Sequence, residues 1–280
     1  MPRSIALPIV LASVCAAASV EAAPSRRVFA YATGTTQPAR WDLVSDVAWF
    51  SETMGTGVVL PTTGWSSDGK ALVAAGHAQG VKVHLTVRLF NPSTTDEIHA
   101  FLSSATAVSA GTTAIVDAVK AEGGDGVNID FDFVSSGDKA AFTSFVQGLA
   151  QSLHAAVPGA ELSLAMPSEA YPGYDLAALG AAADLLMIMG YDYHWATSDP
   201  GPVAPLASST TWGATHSEGY SIGLFEAAAP PAKIVMGMPL YGYDYEATSS
   251  AVPGTHVAGT TAVAVRYKTA ETEAPVYGRQ

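Results

Sequence analysis

The sequence predicts an α/β fold, a (β/α)8 TIM barrel that is truncated before its eighth strand. Short runs rich in Val, Ile, Leu and Met alternate with amphipathic segments, as in parallel strands covered on both faces. Seven such runs lie between residues 26 and 242. No glycine-rich phosphate fingerprint follows any of them, which disfavours an open nucleotide-binding sheet.

The predicted strands share an apolar character and are bounded by turn residues. They cover residues 26–33, 56–61, 81–90, 126–133, 160–167, 184–193 and 233–242. Helical spacing of Phe and Leu predicts a helix over residues 138–157, and another is predicted over 113–124. Residues 243–280 contain one weak strand-like run, 260–267, so we expect no eighth barrel strand in this chain.

The N-terminal segment has the features of a secretory signal peptide. Arg3 precedes an apolar, Ala-rich run over residues 5–20, and small residues up to Ala22 predict cleavage after that residue. The run is short for a membrane span, which disfavours an anchor. We therefore assign residues 1–22 to a signal peptide and expect a secreted or periplasmic protein.

Composition disfavours several classes of partner for the remaining domain, residues 26–280. The net charge of −12 disfavours nucleic acids and anionic membranes, because both attract Lys and Arg. The single cysteine, Cys15, lies in the predicted signal peptide, so the domain has no thiol for a disulfide or a metal site. The histidines show no metal-ligand spacing. We expect no cofactor, no metal, no nucleic-acid partner, no membrane contact after signal cleavage, and a monomer.

A line of polar residues interrupts the fourth predicted strand. In GDGVNIDFDF, residues 124–133, every second position is polar, namely Asn128, Asp130 and Asp132. Because side chains of a strand alternate between its two faces, one face carries an amide and two carboxyls. Burying an unpaired carboxylate costs on the order of several kcal/mol. This line of residues therefore indicates a function.

Three interpretations compete for this line. A calcium loop is disfavoured because Phe133 occupies the position at which such a loop needs glycine. A structural polar network is an alternative, although three successive inward positions argue against it. Acid chemistry is favoured, since barrel active sites lie at the C-terminal ends of strands. There, a neighbouring carboxylate keeps a carboxyl protonated for general acid catalysis.

Three segments resemble glycoside hydrolase family 18, the chitinase family. DGVNIDFDF resembles the family signature Asp-Gly-x-Asp-x-Asp-x-Glu. MGYDYHW, residues 189–195, resembles its sixth-strand Met-x-Tyr-Asp, and GMPLYGY, residues 237–243, resembles its seventh-strand Gly-x-Pro-x-Tyr-Gly. The continuation YDYHWATSDPGPVAPL is similar to the branch of spore-germination and cell-wall hydrolases. The resemblance covers about residues 26–245.

The resemblance implies substrate-assisted hydrolysis with retention of configuration. Asp132 takes the position of the acid that protonates the glycosidic oxygen. Asp130 takes the position of the residue that orients the 2-acetamido group, which attacks the anomeric carbon, and Tyr191 that of the residue contacting this group. The implied substrate is a polysaccharide or oligosaccharide with N-acetylglucosamine-type residues, of the chitin or peptidoglycan type.

Six further residues are predicted to bind substrate, from the resemblance or from their place at a strand end. They are Asn128, Asp192, Met189, Trp195, Tyr241 and Tyr31. Packing in the core or between strand and helix is the alternative for the aromatic members of this group.

The sequence departs from the family pattern at several positions. The family acid is Glu, and Asp132 places its carboxyl about 1 Å short, a displacement that can cost about 100-fold in rate. Asn128 replaces a family Asp, and the third strand reads VRLFN where Ser-x-Gly-Gly is usual. The eighth strand, which supplies a Trp, is not visible. Two hypotheses therefore stay open: a weakened glycosidase, or a non-catalytic chitinase-like carbohydrate-binding protein.

Overall fold

A computed structural model describes residues 26–55, 60, 62–91 and 96–277. Seven parallel strands form one sheet in chain order. They are β1 Phe29–Thr33, β2 Asp46–Thr53, β3 Lys82–Phe90, β4 Gly126–Asp132, β5 Glu161–Pro167, β6 Leu185–Met189 and β7 Ile234–Met236. This is the strand order of a (β/α)8 barrel, which confirms the predicted fold class. Among the described residues, neither β1 nor β7 pairs with an eighth parallel strand.

Helices follow most of the strands. They are α1 Lys70–His77, α2 Glu97–Leu102, α3 Ala105–Glu122, α4 Lys139–Ala156, α5 Leu176–Ala182, α6 Glu218–Glu226 and α7 Tyr267–Tyr277. Ser104 caps α3 by accepting a hydrogen bond from the backbone N–H of Ala107, and Gly123 ends it at φ 70°. No helix within the described ranges is long and apolar enough to cross a bilayer.

The predicted helix over residues 138–157 is confirmed as α4, and its apolar face packs against the outer face of β4. The ring of Phe131 from β4 stacks on that of Phe145 with centroids 5.5 Å apart. Phe101 of α2 meets both rings edge-on, which joins two helices to the strand. This apolar layer fixes β4, so that its other face points into the barrel.

The second strand differs from its prediction. Most of the predicted run, 56–61, lies outside the described residues, and the second strand of the sheet is β2. β2 could not be predicted from the sequence, because two buried carboxylates interrupt its apolar pattern. Asp46 joins an ionic cluster, and Glu52 accepts a 2.8 Å hydrogen bond from the backbone N–H of Trp65.

The sixth and seventh strands are shorter than predicted. β6 ends at Met189 and β7 at Met236, where the sequence predicted extended runs to 193 and 242. The chain then forms β8, Tyr241–Asp244, which pairs antiparallel with β9, Val263–Arg266. The weak run predicted over residues 260–267 is therefore confirmed as a strand, but in a separate two-stranded ribbon.

An ionic cluster occupies the N-terminal end of the sheet. Arg27 binds Asp46 at 2.6 Å and also pairs with Glu161, which in turn binds Lys82. His84, fully buried, lies 3.0 Å from Asp46. Burial opposes the charge of Asp46, but hydrogen bonds from His84, Arg27 and Ser45 outweigh burial and hold the pKa of Asp46 well below its usual range.

Candidate active site

The polar line of β4 lies inside the barrel, as the alternation predicted. Asn128 is fully buried, Asp130 is 7% exposed, and Asp132 is partly exposed at the C-terminal end of the strand. The Oδ1 atoms of both aspartates are buried and have no hydrogen-bond partner within the described residues. Two unsatisfied carboxyls at a barrel mouth are a costly arrangement that a ligand or a shared proton would relieve.

The two carboxyls are poised to hold a proton near neutral pH. Burial raises the pKa of Asp130 to about 7; the charge of Asp132 raises it as well, and Arg88 opposes the rise. Burial alone raises the pKa of Asp132 to about 6. Because the groups interact, they titrate as a pair and hold about one proton between them in this range. Such a pair can deliver a proton to a leaving oxygen.

Asn128 lies deeper in the barrel than Asp130 and Asp132, the two residues called the acid pair from here on. Its Oδ1 accepts a 3.1 Å hydrogen bond from the hydroxyl of Tyr31, and its Nδ2 donates a 2.9 Å bond to Ser163 on β5. Tyr31 lies on the edge strand β1 and is 46% exposed, while its hydroxyl reaches Asn128 in the barrel interior. The amide of Asn128 is thus engaged on both sides, beneath the two carboxyls.

Tyr191 reaches the acid pair from the chain just after β6. Burial raises its pKa to about 12, with further contributions from the charges of Asp130, Asp132 and Asp192. The charges of both carboxyls therefore act on this hydroxyl. It stays protonated at all physiological pH values and can donate a hydrogen bond to a ligand. The half-buried Met189 ends β6 two residues earlier.

Glycines allow the chain segments after β6 and β7 to approach each other. A Cβ on Gly190 would lie 2.3 Å from the Met236 sulfur and 2.6 Å from the Gly237 carbonyl oxygen. Asp192 follows with φ 59°, a left-handed conformation that Asp tolerates better than most residues. This turn directs the carboxylate of Asp192 towards Tyr241 on β8, which donates a 2.6 Å hydrogen bond to it.

Tyrosines extend from the site along β8. The rings of Tyr191 and Tyr241 lie 6.2 Å apart, and Tyr241 and Tyr243 lie 5.7 Å apart. Tyr243 also donates to Asp192, at 2.9 Å. Tyr241 therefore lies beside Tyr191, the residue that the resemblance implies contacts the acetamido group. A residue that lines a sugar-binding groove is expected at such a position. The sequence analysis did not single out Tyr243, although it alternates with Tyr241 in the same run.

Trp195 contacts residues outside the acid pair. Its indole N–H donates to Thr197, its backbone carbonyl accepts from Tyr245, and its side chain is 52% exposed. Within the described residues these contacts place it on the loop after the site. Its predicted role in binding sugar stays a prediction.

Arg88 is the site residue that the sequence analysis missed. It lies on β3 in register with Asp130 of β4. Its guanidinium carbon lies 4.8 Å from the ring centroid of Phe50 and 4.7 Å from that of Phe90. The sequence contained the information needed to find it, because the Arg of VRLFN lies at an inward-facing position of the third strand.

Comparisons with known proteins identify the family of this chain. The profile of "Glycosyl hydrolases family 18" matches residues 75–276. A putative sporulation-specific glycosylase, YdhD of Bacillus subtilis (strain 168), is 38% identical over 157 residues, which are 54% of this chain and 35% of that protein. The chain therefore spans well under half the length of this relative.

Solved structures show the same fold. The crystal structure of YdhD has a TM-score of 0.72 at 29% identity, covering 84% of this chain and 75% of that one. A chitinase from Chromobacterium violaceum ATCC 12472 has a TM-score of 0.73 at 25% identity, covering 91% and 78%. With the family profile matching most of the chain and the acid pair at the expected strand end, this protein belongs to glycoside hydrolase family 18.

Proposed function

We propose that the protein hydrolyses glycosidic bonds in a polysaccharide or oligosaccharide containing N-acetylglucosamine-type sugars. The supporting observation is the convergence of Asp130, Asp132 and Tyr191 at the carboxyl ends of β4 and β6, with two buried carboxyl oxygens that lack partners. The similarity to a sporulation-specific glycosylase and to a chitinase supports the same substrate class.

The proposed mechanism is substrate-assisted. Asp132 gives its proton to the glycosidic oxygen as the bond to the anomeric carbon breaks, while the acetamido oxygen of the substrate attacks that carbon. Asp130 accepts a hydrogen bond from the acetamido N–H, and Tyr191 donates one to the acetamido oxygen. Water then opens the cyclic intermediate and returns a proton to Asp132, so the configuration is retained.

A second candidate is binding without catalysis. It is favoured by one observation: position 132 carries Asp, whose carboxyl is one methylene shorter than that of the family Glu. In that case the groove would hold sugar without delivering the proton.

Release of 4-nitrophenol from its N,N′-diacetylchitobioside distinguishes the two functions. We expect measurable wild-type turnover, its loss by at least about 100-fold in Asp132→Asn, and little change in Asp117→Asn. Asp117 is exposed on α3 and serves as the matched control. A wild-type rate equal to that of Asp132→Asn, with turnover appearing only in Asp132→Glu, would establish the binding function instead. Proton NMR of the first product should show the β-anomer if configuration is retained.

The cellular location is a separate proposal. We propose that the chain is exported and cleaved after Ala22, because its first residues have the charge and apolar pattern of a signal peptide. These residues lie outside the described part of the chain. N-terminal sequencing of protein recovered outside the cytoplasm should begin at Ala23, and an intact Met1 there would contradict the proposal.

A further inference from the structure

Two exposed aromatic rings lie next to the acid pair. Phe133 directly follows Asp132 at the end of β4, and Tyr171 lies in the loop that follows β5. Their ring centroids are 4.9 Å apart at an interplanar angle of 31°, and the two residues are 49% and 40% exposed. Burying an aromatic side chain stabilises a fold, so two rings left together on the surface forgo that gain. An exposed aromatic pair beside polar groups is typical of a ligand-binding surface.

The position of Phe133 departs from the alternation that governs β4. The apolar residues of the strand, up to Phe131, cover its outer face and are buried, and Phe131 stacks on Phe145 of α4. Phe133 comes next in this series, yet it is half-exposed and its ring contacts Tyr171. Packing of the core therefore does not account for the place of this ring.

The loop that carries Tyr171 is fixed to the end of β4. The Tyr174 hydroxyl donates a 2.7 Å hydrogen bond to the carbonyl oxygen of Phe131 and accepts one of 3.3 Å from the backbone N–H of Val134. The two backbones are so close that a Cβ on Gly173 would lie 1.9 Å from the Val134 carbonyl oxygen. These contacts hold the two exposed rings together before any ligand binds, which lowers the entropy cost of binding.

Phe133 and Tyr171 lie on the outer side of the acid pair. Exposure rises along the end of β4, from Asp130 at 7% through the partly exposed Asp132 to Phe133 at 49%. Burial raises the pKa of Tyr171, and the charges of neighbouring carboxylates, Asp132 among them, raise it further. The hydroxyl of Tyr191 responds to Asp130 more than to Asp132. Tyr171 therefore interacts with the outer carboxyl, and Tyr191 foremost with the inner one.

The chemistry of glycoside cleavage assigns the two sides of the acid pair. A glycosidic oxygen joins two sugars, and the acid that protonates it stands between them. If Asp130 and Tyr191 hold the acetamido group of the reacting sugar, as the proposed function requires, that sugar lies on the inner side of Asp132. The leaving sugar, on the other side of the same oxygen, then extends outward, towards Phe133 and Tyr171. Its ring carries C–H groups of partial positive charge, which suit the negative face of an aromatic ring.

We propose that Phe133 and Tyr171 form a platform on which the leaving sugar of the substrate stacks through its apolar face. This inference rests on the proposed glycosidase function and deepens it, because it makes a sugar ring on the leaving side part of what the site recognises. The ligand of the platform is a pyranose with equatorial substituents, which leave a face of C–H groups free for stacking. The platform therefore favours substrates in which a sugar, rather than a small group, follows the broken bond.

Two substrates with the same reacting part test the inference. They are the methyl β-glycosides of N,N′-diacetylchitobiose and of N,N′,N″-triacetylchitotriose. Cleavage to free N,N′-diacetylchitobiose releases methanol from the first and methyl N-acetylglucosaminide from the second. Both leaving oxygens need a proton, but only the second belongs to a sugar ring. We expect Tyr171→Ala and Phe133→Ala to lower the ratio of kcat/KM, trisaccharide over disaccharide, by about 5- to 30-fold, as the loss of one aromatic contact would.

Matched variants assign the ratio to the platform. Tyr171→Phe keeps the ring and should keep the ratio within about twofold of wild type. Tyr267→Ala removes a ring that is 64% exposed at the start of α7, and it should leave the ratio unchanged. Because Phe133 is bonded to Asp132, its substitution can also displace the acid. A displaced acid or a smaller folded fraction slows both substrates alike, so that effect cancels in the ratio.

Failure of the inference and failure of the proposed function give different results. A ratio that neither Tyr171→Ala nor Phe133→Ala changes, or one that falls equally in Tyr267→Ala, would overturn the inference but leave a glycosidase. If the wild type cleaves neither substrate, the proposed function fails, and calorimetric titration with N,N′,N″,N‴-tetraacetylchitotetraose then decides the inference. Equal dissociation constants for wild type and Tyr171→Ala overturn it. Weaker binding by Tyr171→Ala, but not by Tyr267→Ala, supports it.

Discussion

Tyr241 donates its hydroxyl hydrogen to Oδ1 of Asp192 across 2.6 Å, and this bond ties β8 to the turn that follows β6. Tyr243 donates to the same oxygen at 2.9 Å. The backbone of Asp192 has φ 59°, so the side chain and the left-handed turn are fixed together. Tyr191 lies one residue before this turn, and the charges of Asp130 and Asp132 act on its hydroxyl.

Substitutions of Asp192 should separate its role as a hydrogen-bond acceptor from its role as the residue in the left-handed turn. Asp192→Asn keeps an oxygen acceptor and tolerates the left-handed conformation, so we expect activity within about threefold of wild type. Asp192→Ala loses the acceptor for two hydroxyls and strains the turn, and we expect a loss of about 1–2 kcal/mol in unfolding free energy together with a lower kcat. Urea unfolding and steady-state kinetics measure the two effects. Equal stability of the Asn and Ala variants would show that the turn does not depend on this carboxylate.

The acid pair should make the protein less stable as pH rises. The folded-state pKa values of Asp130 and Asp132, about 7 and about 6, lie above their ordinary value of 3.8. The folded state therefore binds protons more tightly, and the stability from these groups is full below pH 3.8 and is lost as pH rises through 6 to 7. Replacing a carboxyl by an amide removes this loss.

We therefore expect Asp130→Asn to be more stable than wild type at pH 8 by about 1–3 kcal/mol, with the difference vanishing near pH 4. Chemical unfolding between pH 4 and 8 measures it, with Asp117→Asn as a variant that removes the same charge outside the site. A difference that stays constant across this range would mean that burial in the barrel does not perturb the pKa of Asp130.

Alternation and strand-end chemistry were enough to predict β4 and the inward placement of its polar residues. The pattern of β4 is readable because its opposite face is wholly apolar, with Val127, Ile129 and Phe131 buried. β2 could not be predicted in this way, because Asp46 and Glu52 are buried with partners that only the tertiary structure supplies. A sequence window cannot show such pairing.

The ends of the later strands were also beyond prediction from local pattern. The residues after Met189 and Met236, GYDY and GMPLY, still contain residues that favour strands, yet the chain turns at both places. Gly190 and Gly237 approach each other closely at these turns, and β8 then pairs with β9, which is some twenty residues further along. Arg88 was missed for a related reason: its proximity to Asp130 depends on the register of two strands far apart in sequence.

The approach at Gly190 makes a specific packing prediction. Gly190→Ala would place a methyl 2.3 Å from the Met236 sulfur and 2.6 Å from a backbone oxygen, so we expect a loss of about 2–4 kcal/mol and a fall in kcat as Tyr191 is displaced. Gly148 is the matched control, because it lies within α4 with no atom within 4 Å of a built Cβ. Gly148→Ala should gain about 0.5–1 kcal/mol through helix propensity. Thermal unfolding of both variants measures the contrast, and similar losses in both would contradict it.

The ionic cluster at the N-terminal end of the sheet predicts a large effect far from the acid pair. Arg27→Met leaves Asp46, which is 1% exposed, with His84 but without its guanidinium partner, so we expect a loss of about 2–4 kcal/mol at pH 7. The pKa of Asp46 is held below its ordinary value of 3.8, so its contribution is present above that pH and is lost as pH falls through the folded-state value. The variant and the wild type should therefore converge in stability towards acid pH.

The control for this prediction is Lys70→Met. Lys70 pairs with Glu122 at 3.1 Å, but its side chain is 67% exposed, so we expect a change within about 0.5 kcal/mol. Urea unfolding of both variants at pH 7 gives the comparison. Because the cluster lies at the opposite end of the barrel from Asp132, kcat of folded Arg27→Met should stay within about twofold of wild type. A loss of activity larger than the loss of folded protein would show that the ionic end of the barrel influences the position of the acid pair.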